Sequence, residues 1–261
     1  METSIFYFTG TGNSLKIAKD IGNNLNNSTI ISIAKNISNV NRLNPKGTVG
    51  FVFPVFYCGI PQIVDKFLKE INLADVSYMF IVAVYGATAG NGGCIHQVKN
   101  IFKEKQIELN SAFYVKSVDN FIVWTWDVPP TEKHDKLHKD ACKRADFISK
   151  IVLNKTSYYD KSLVEYIGPV LFRHKNFLKT VNNKDKKFSA GDNCNRCGLC
   201  VKVCPVKNIE IDKTVKWLHQ NCQFCLGCLH LCPNKSINYG KVTLKRQRYR
   251  NPYIKMEEYF S

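Results

Sequence analysis

Hydrophobic positions along this chain follow two rhythms that alternate. Ser4-Ile5-Phe6-Tyr7-Phe8 is a short, nearly continuous apolar run, the pattern of a strand buried on both faces. Thr9-Gly10-Thr11-Gly12 ends it, after which Leu15, Ala18, Ile21 and Leu25 recur at helical spacing. The same reading predicts strands at 29–33, 48–55, 78–85 and 111–118 and helices at 61–71 and 94–108. Leu137, Ala141, Ala145, Ile148 and Val152 mark a closing helix. Strands and helices alternating at these lengths predict an α/β fold in which helices cover both faces of a five-stranded parallel sheet.

Beyond residue 155 the rhythm fades. A hydrophobic piece around Leu163 to Leu178 runs into the polar stretch Asn182-Asn183-Lys184-Asp185-Lys186-Lys187, which reads as a packed connector ending in a linker. The next segment repeats itself at an offset of 28: Cys194, Cys197, Cys200, Cys204, Pro205, Lys207 and Ile209 recur as Cys222, Cys225, Cys228, Cys232, Pro233, Lys235 and Ile237. The expected organisation is therefore a first domain over 1–155, a connector over 156–187, a small α+β domain over 188–240 and a basic, aromatic tail over 241–261. The tail interleaves Lys245, Arg246, Arg248 and Arg250 with Tyr249 and Tyr253.

A hydrophobic content of 44% against 22% charge lets a chain of 261 residues bury a core, which excludes disorder over most of it. Runs such as Met79 to Tyr85 are far shorter than the roughly 20 residues a membrane span needs. Met1-Glu2-Thr3-Ser4 lacks a basic leader, so the expected location is the cytoplasm. Cytoplasmic thiols stay reduced, so eleven cysteines point to metal binding or reactivity rather than disulfides. Charge is uneven too: residues 1–130 carry 11 Lys and Arg against 9 Asp and Glu, whereas 131–261 carry 26 against 12. The basic half implies an acidic partner, a nucleic acid or an anionic surface.

Each cysteine run has the spacing C-x2-C-x2-C-x3-C-P, in which three close thiolates cap one iron–sulfur cube and the displaced fourth reaches a second cube. Two structural zinc sites would explain the C-x2-C pairs, but not the third cysteine of each run nor the Cys-Pro that follows. Residues 188–240 resemble the bacterial two-cluster ferredoxins. The crossed pattern implies one [4Fe–4S] cluster on Cys194, Cys197, Cys200 and Cys232, and a second on Cys222, Cys225, Cys228 and Cys204. Gly198 and Gly227 fit a backbone that passes close to sulfur. His230 is not needed as a ligand and is expected to face solvent or to hydrogen-bond beside the cube.

Thr9-Gly10-Thr11-Gly12-Asn13-Ser14 lies between a strand and a helix N-terminus, where free N–H groups, hydroxyls and the helix dipole surround a phosphate. It is neither a Walker loop nor a dinucleotide fingerprint. The order strand, T-x-T-G-x-S, helix resembles the FMN phosphate loop of flavodoxins, a resemblance that extends over about residues 3–153. It implies sheet order 2-1-3-4-5 and FMN at the carboxyl ends of the strands. The loops after the third and fourth strands then meet the flavin. These are Pro54-Val55-Phe56-Tyr57-Cys58-Gly59, with aromatics to stack on the ring, and Tyr85-Gly86-Ala87-Thr88-Ala89-Gly90-Asn91-Gly92-Gly93. In flavodoxins a comparable peptide flips to hydrogen-bond flavin N5, a role the resemblance gives to Cys58-Gly59. Trp124 and Trp126 are candidates to cover the ring from the side. Cys58 reads as a small buried apolar residue, with a reactive thiol beside the flavin as the alternative. Cys94 and Cys142 carry no functional reading, and His96, His134, His138 and His174 read as solvated.

The two halves together resemble bacterial fusions of a flavodoxin domain with a two-cluster ferredoxin domain. That resemblance implies electron transfer between the clusters and FMN, converting one-electron into two-electron steps. Two alternatives remain open: an FMN-dependent, ferredoxin-linked reductase of a small molecule, and a redox sensor. Bound cofactors, at about −2 for each cube and for the FMN phosphate, would lower the +16 formal charge to roughly +10. The expected partner is an acidic redox protein, a ferredoxin, flavodoxin or oxidoreductase. Nucleic-acid binding by the tail is the lesser expectation, and low-potential cubes hint at an anaerobe.

Overall fold

A computed structural model describes residues 2–87, 92–124, 126–161 and 168–260. In chain order the elements are β1 (Thr3–Tyr7), α1 (Asn13–Asn24), β2 (Ser28–Ser32), α2 (Ile33–Asn36), a 3-10 turn, β3 (Gly47–Pro54), α3 (Gln62–Glu70) and β4 (Val76–Tyr85). They continue with α4 (Cys94–Glu104), β5 (Ser111–Lys116), α5 (Glu132–Leu153), β6 (Tyr158–Tyr159), α6 (Gly168–Thr180) and β7 (Phe188–Ala190). The last are α7 (Leu199–Lys202), β8 (Ile209–Ile211), β9 (Val215–Trp217), α8 (Gly227–His230) and β10 (Ile237–Tyr239). Residues 88–91, the centre of the glycine loop, Thr125 and residues 162–167 of the expected connector lie outside the described residues.

The chain divides into two units that interleave along the sequence. Unit 1 comprises Met1–Thr9, Asn13–Val118 and Thr131–Asn176; unit 2 comprises Gly10–Gly12, Asp119–Pro130 and Phe177–Ser261. The linear division into domain, connector, domain and tail therefore differs from the division in space, because short loop segments pack with residues distant in sequence.

Unit 1 is built on a parallel sheet of order β2-β1-β3-β4-β5-β6. Five strands stand where the apolar runs predict them, in the 2-1-3-4-5 order. The sixth corrects the five-stranded expectation: Tyr158 and Tyr159 pair in parallel with Ser111 and Ala112. Two residues are too few to show a period in sequence. Their position is held by Tyr158 stacked on Phe113 at 5.3 Å and by Asp160, whose carboxylate accepts the Tyr114 N–H at 2.7 Å and pairs with Arg144. The core is phenylalanine-rich, with Phe6 stacked on Phe51 at 5.5 Å and Phe67 and Phe102 tilted against them. Each such ring contributes about 1.5–3 kcal/mol by leaving water. Gly50 lets the Phe80 ring lie on β3, since a Cβ there would stand 2.1 Å from it.

Unit 2 holds two small antiparallel ladders, β7 with β10 and β8 with β9. Phe188 stacks on Trp217 at 5.8 Å and meets Tyr239 at 5.1 Å and Phe224 at 6.1 Å. The basic tail packs within this unit. Arg248 donates to the carbonyls of Ile237, Thr243 and Arg246 and to the Asn238 side chain, while Tyr249, Asn251 and Ile254 are buried.

Candidate cofactor sites

The duplication seen in the cysteine spacing is repeated in the backbone of unit 2. Arg196, Gly198 and Lys207 have φ of 56°, 78° and 51°, and their counterparts 28 positions on, Phe224, Leu226 and Lys235, have 52°, 60° and 50°. Helices α7 and α8 are offset by the same interval. Gly198 has open space around it, so its positive φ, not close packing, calls for glycine. Leu226 holds the equivalent strained conformation with a full side chain, buried. The fourth cysteine of each run accepts a backbone N–H from four residues ahead, Asn208 to Cys204 Sγ at 3.2 Å and Ser236 to Cys232 Sγ at 3.3 Å.

The sulfurs gather into two groups. Burial, with repulsion from Cys194, Cys232 and Cys197, pushes the Cys200 thiol up to about 11. Burial pushes Cys225 up to about 12, with Cys204 acting on it. Cys222 and Cys228 are raised further, by burial and then by neighbours that include Cys225 and Cys204. One cavity is lined by Cys194, Cys197, Cys200 and Cys232 together. The cavity joins the four cysteines of one crossed set, while Cys228 of the other has Cys225, Cys222 and Cys204 as neighbours and Cys200 of the first set as well. Thiols this hard to ionise beside one another suit a polycationic group that displaces their protons. Among the described residues no three His, Cys, Asp or Glu side chains are gathered to hold a single metal ion. The thiolates of a cube each bind a different iron and need no common centre.

Polar residues support the second sulfur group. Asp185 is buried and accepts from the Asn208 amide at 2.6 Å and pairs with His219 at 3.0 Å. Asn208 Oδ1 in turn accepts the N–H groups of Gln220 and Asn221. His230 faces no solvent, a correction to one of the two expectations for it: it is 4% exposed, and burial pushes its pKa down to about 4. Its Nδ1 accepts the Tyr249 N–H at 3.1 Å and its Nε2 meets the Asn120 carbonyl at 2.8 Å, so the neutral ring carries its proton on Nε2.

The residues expected at the flavin fall in both units. In unit 1, β1, β3 and β4 run parallel and in register, Tyr7 beside Val52 and Pro54 beside Val84, so the loops that follow leave one edge of the sheet. Asn13 and Ser14 open α1, both buried, and the Asn13 amide donates to the Val118 carbonyl at 3.1 Å. After β3, Phe56 and Gly59 exchange two hydrogen bonds, at 2.8 and 3.0 Å, around Tyr57 and Cys58. Both central residues have positive φ, 47° and 65°, where Asn and Gly are usual. Such strain marks a turn worth keeping for function. Phe56 lies edge-on to Phe8 at 6.2 Å, whereas Tyr57 at the apex is exposed. Tyr85 and Gly86 are half-buried, Ala87 is exposed and Gly92 buried.

His174 corrects another expectation. Read as solvated, it is 1% exposed. Its Nδ1 meets the Phe56 carbonyl at 3.1 Å, and its ring lies where a Cβ on Gly59 would approach to 2.4 Å. Glycine at 59 thus serves close packing. Trp124 and Trp126, 63% and 62% exposed, pack on each other edge to face at 5.5 Å. Cys58 is half-buried, Cys94 buried and Cys142 exposed.

In unit 2, Gly10, Thr11 and Gly12 sit among residues the motif did not announce. Asn120 donates to the Thr11 hydroxyl, and Asn251 and Tyr259 reach the Thr11 carbonyl. A Cβ on Gly10 would stand 2.2 Å from the Cys225 carbonyl oxygen, and one on Gly227 3.2 Å from the Gly10 carbonyl oxygen. Asn120, Asn251 and Tyr259 had no sequence signal, since isolated Asn and Tyr are common in tails and loops.

A family model described as a flavodoxin domain matches residues 4–115, and one described as a 4Fe-4S dicluster domain matches residues 186–233. No match was found among curated proteins. Among solved structures, a Fusobacterium nucleatum flavodoxin bound to flavin mononucleotide is 15% identical at a TM-score of 0.41, covering 60% of this chain and 99% of its own. A flavodoxin from the domain Archaea is 17% identical at 0.38, covering 59% and 99%. Among the described residues no helix is long and apolar enough to cross a membrane. The chain thus joins an N-terminal flavodoxin domain to a 4Fe-4S dicluster domain, a pairing that indicates a redox role and leaves the zinc reading of the cysteines without support.

Proposed function

We propose that this protein relays electrons between two [4Fe–4S] clusters and FMN. The observation that carries the reading is inside unit 2: Gly10 of the T-x-T-G turn lies against Cys225, so close that any side chain at 10 would strike the Cys225 carbonyl. Electron transfer needs proximity, and this contact brings the phosphate turn to the second sulfur group. The clusters supply single electrons, and FMN holds one or two.

The chain's own residues bind, orient and tune. Cys204, Cys222, Cys225 and Cys228 would hold one cube and Cys194, Cys197, Cys200 and Cys232 the other. The N–H groups of Asn208 and Ser236 donate to the crossing sulfurs and so favour the more negative state. Thr9 to Ser14 would take the flavin phosphate, the Phe56–Gly59 turn would present Tyr57 to the ring, and Tyr85, Gly86, Ala87 and Gly92 would border it. Electron transfer itself requires no acid or base, so carriage rather than catalysis on a small molecule is the favoured form.

Cys197 is the exposed cysteine of its group, and Arg196 and Lys202 beside it are exposed as well. An acidic redox partner docking there would exchange electrons, in the cytoplasm, with the cube on Cys194, Cys197, Cys200 and Cys232. Anaerobic purification with iron, sulfide and flavin assayed, followed by stepwise reductive titration, tests the reading. It expects about eight iron and one FMN per chain, with cluster and flavin reduced in one connected sequence. A colourless protein, or one holding zinc and no flavin, would overturn it.

A further inference from the structure

The 28-residue repeat gives the two sulfur groups matching local donors. Asn208 and Ser236 occupy equivalent positions, and their N–H groups donate to the equivalent sulfurs of Cys204 and Cys232 at 3.2 and 3.3 Å. Two charged side chains of unit 2 break the match. Asp185 precedes the repeat and Arg248 follows it, and the positions 28 residues away from them hold Lys213 and Gln220.

Each charge is anchored on the segment that serves one crossing sulfur. The Asp185 carboxylate is fully buried and accepts the Asn208 amide at 2.6 Å, on the residue whose N–H meets Cys204. The Arg248 guanidinium is half-buried and donates to the Ile237 carbonyl and the Asn238 side chain, at 3.0 and 2.9 Å. Those residues follow Ser236, whose N–H meets Cys232. The electrostatics divide in the same way. Burial raises the Cys204 and Cys222 thiols most, and the Asp185 charge raises both further. Burial lowers the Arg248 pKa, and Cys232 opposes that fall. Competing charges lie nearer to water, which screens them. His219, paired with Asp185, and Asp127, which acts on Arg248, are exposed, and Lys184, Lys186 and Lys187 are half-buried or exposed.

We infer that Asp185 and Arg248 make the two clusters unequal electron acceptors. Reduction adds one negative charge to a cube, so the buried carboxylate lowers the potential of the cube on Cys204, Cys222, Cys225 and Cys228. The guanidinium raises that of the cube on Cys194, Cys197, Cys200 and Cys232. Water at exposed Cys197 acts in the same sense. The first electron from a redox partner then rests on the Cys197 cube. The inference rests on the two-cluster reading of the cysteine runs. A unit charge about 10 Å away, at an effective dielectric constant of about 20, changes an electron-binding equilibrium roughly tenfold, or about 59 mV.

The test is an anaerobic potentiometric titration of the full, cluster-loaded chain, with dithionite as reductant and the reduced clusters counted by electron paramagnetic resonance. It is run at pH 8, where an imidazole of ordinary pKa is neutral. The unaltered chain should show two one-electron cluster steps at least about 59 mV apart. Asp185→Asn should raise the lower step roughly tenfold, about 59 mV, and leave the upper step in place. Arg248→Gln should lower the upper step alone, by about threefold because the group is half-buried, and Arg248→Lys should restore it. Iron should stay at about eight per chain; where one variant loses iron, the other decides. A single unresolved step, a shift of the wrong step, equal shifts of both or no shift would overturn the inference. An unaltered chain holding only about four iron would instead overturn the two-cluster reading, and the inference with it.

Discussion

In unit 1 the buried rings of Phe6, Phe51, Phe67 and Phe102 pack against one another between a six-stranded sheet and its helices. In unit 2 the ladders are three residues long, helices α7 and α8 span one turn each, and eight cysteines, half-buried apart from exposed Cys197, stand among them. The first region can close on hydrocarbon alone. The second gathers thiols that burial keeps protonated, so a cationic group bound there must displace their protons. The comparison expects a first region that holds without a cofactor and a second that depends on one.

The largest expected effect comes from removing iron. Under anaerobic chelation, amides of β7 to β10 should lose hydrogen-exchange protection by at least about a hundredfold while β1, β3 and β4 keep theirs. Equal loss in both units would break the comparison. Next, Cys232→Ser removes the sulfur that crosses from the second run to the first group, and iron content should fall from about eight to about four per chain. Loss of the Cys204 group instead would show that the sets are not crossed.

Two glycine variants sharpen the contrast. Gly50→Ala drives a methyl into Phe80 and should cost about 1–3 kcal/mol in a denaturant melt with iron retained. Gly10→Ala strikes the rigid Cys225 backbone and should lower iron content as well. Smaller still is a pH effect in unit 1. Burial holds the folded pKa of His174 below its ordinary value, so the stability its neutral ring contributes is full above about pH 6.5 and is lost as pH falls through the folded value. The melting advantage of the unaltered chain over His174→Gln should therefore shrink from pH 7 to pH 5; a constant advantage would show that His174 does not titrate with unfolding.

Much of unit 1 was legible in the chain. Continuous apolar runs such as Phe51 to Phe53 belong to strands buried on both faces, and Ala141, Ala145, Ile148 and Val152 mark one side of α5. Tyr158–Tyr159 was not, because two residues hold no period and their strand is held by tertiary contacts, the stack on Phe113 and the Asp160 carboxylate on Tyr114 and Arg144. The candidate sites divide in the same way. Cys194 to Cys232 announce themselves because thiolates on a cube impose fixed local spacing. Asn120, Asn251 and Tyr259 act through single hydrogen bonds that any sequence separation allows. His174 was read as solvated because nothing local distinguishes a histidine that packs on Gly59.

What the amino-acid order determined by itself is whatever depends on neighbours in the chain: strand and helix rhythm, the duplicated cysteine run, the glycine and threonine turn. Tertiary structure alone decided which distant residues close on that turn, why Gly10, Gly12 and Gly59 cannot carry a side chain, and that the tail belongs to unit 2. The reason is physical. Local spacing is set by backbone geometry over a few residues, whereas a close approach or a pinned carbonyl depends on where remote segments arrive after packing.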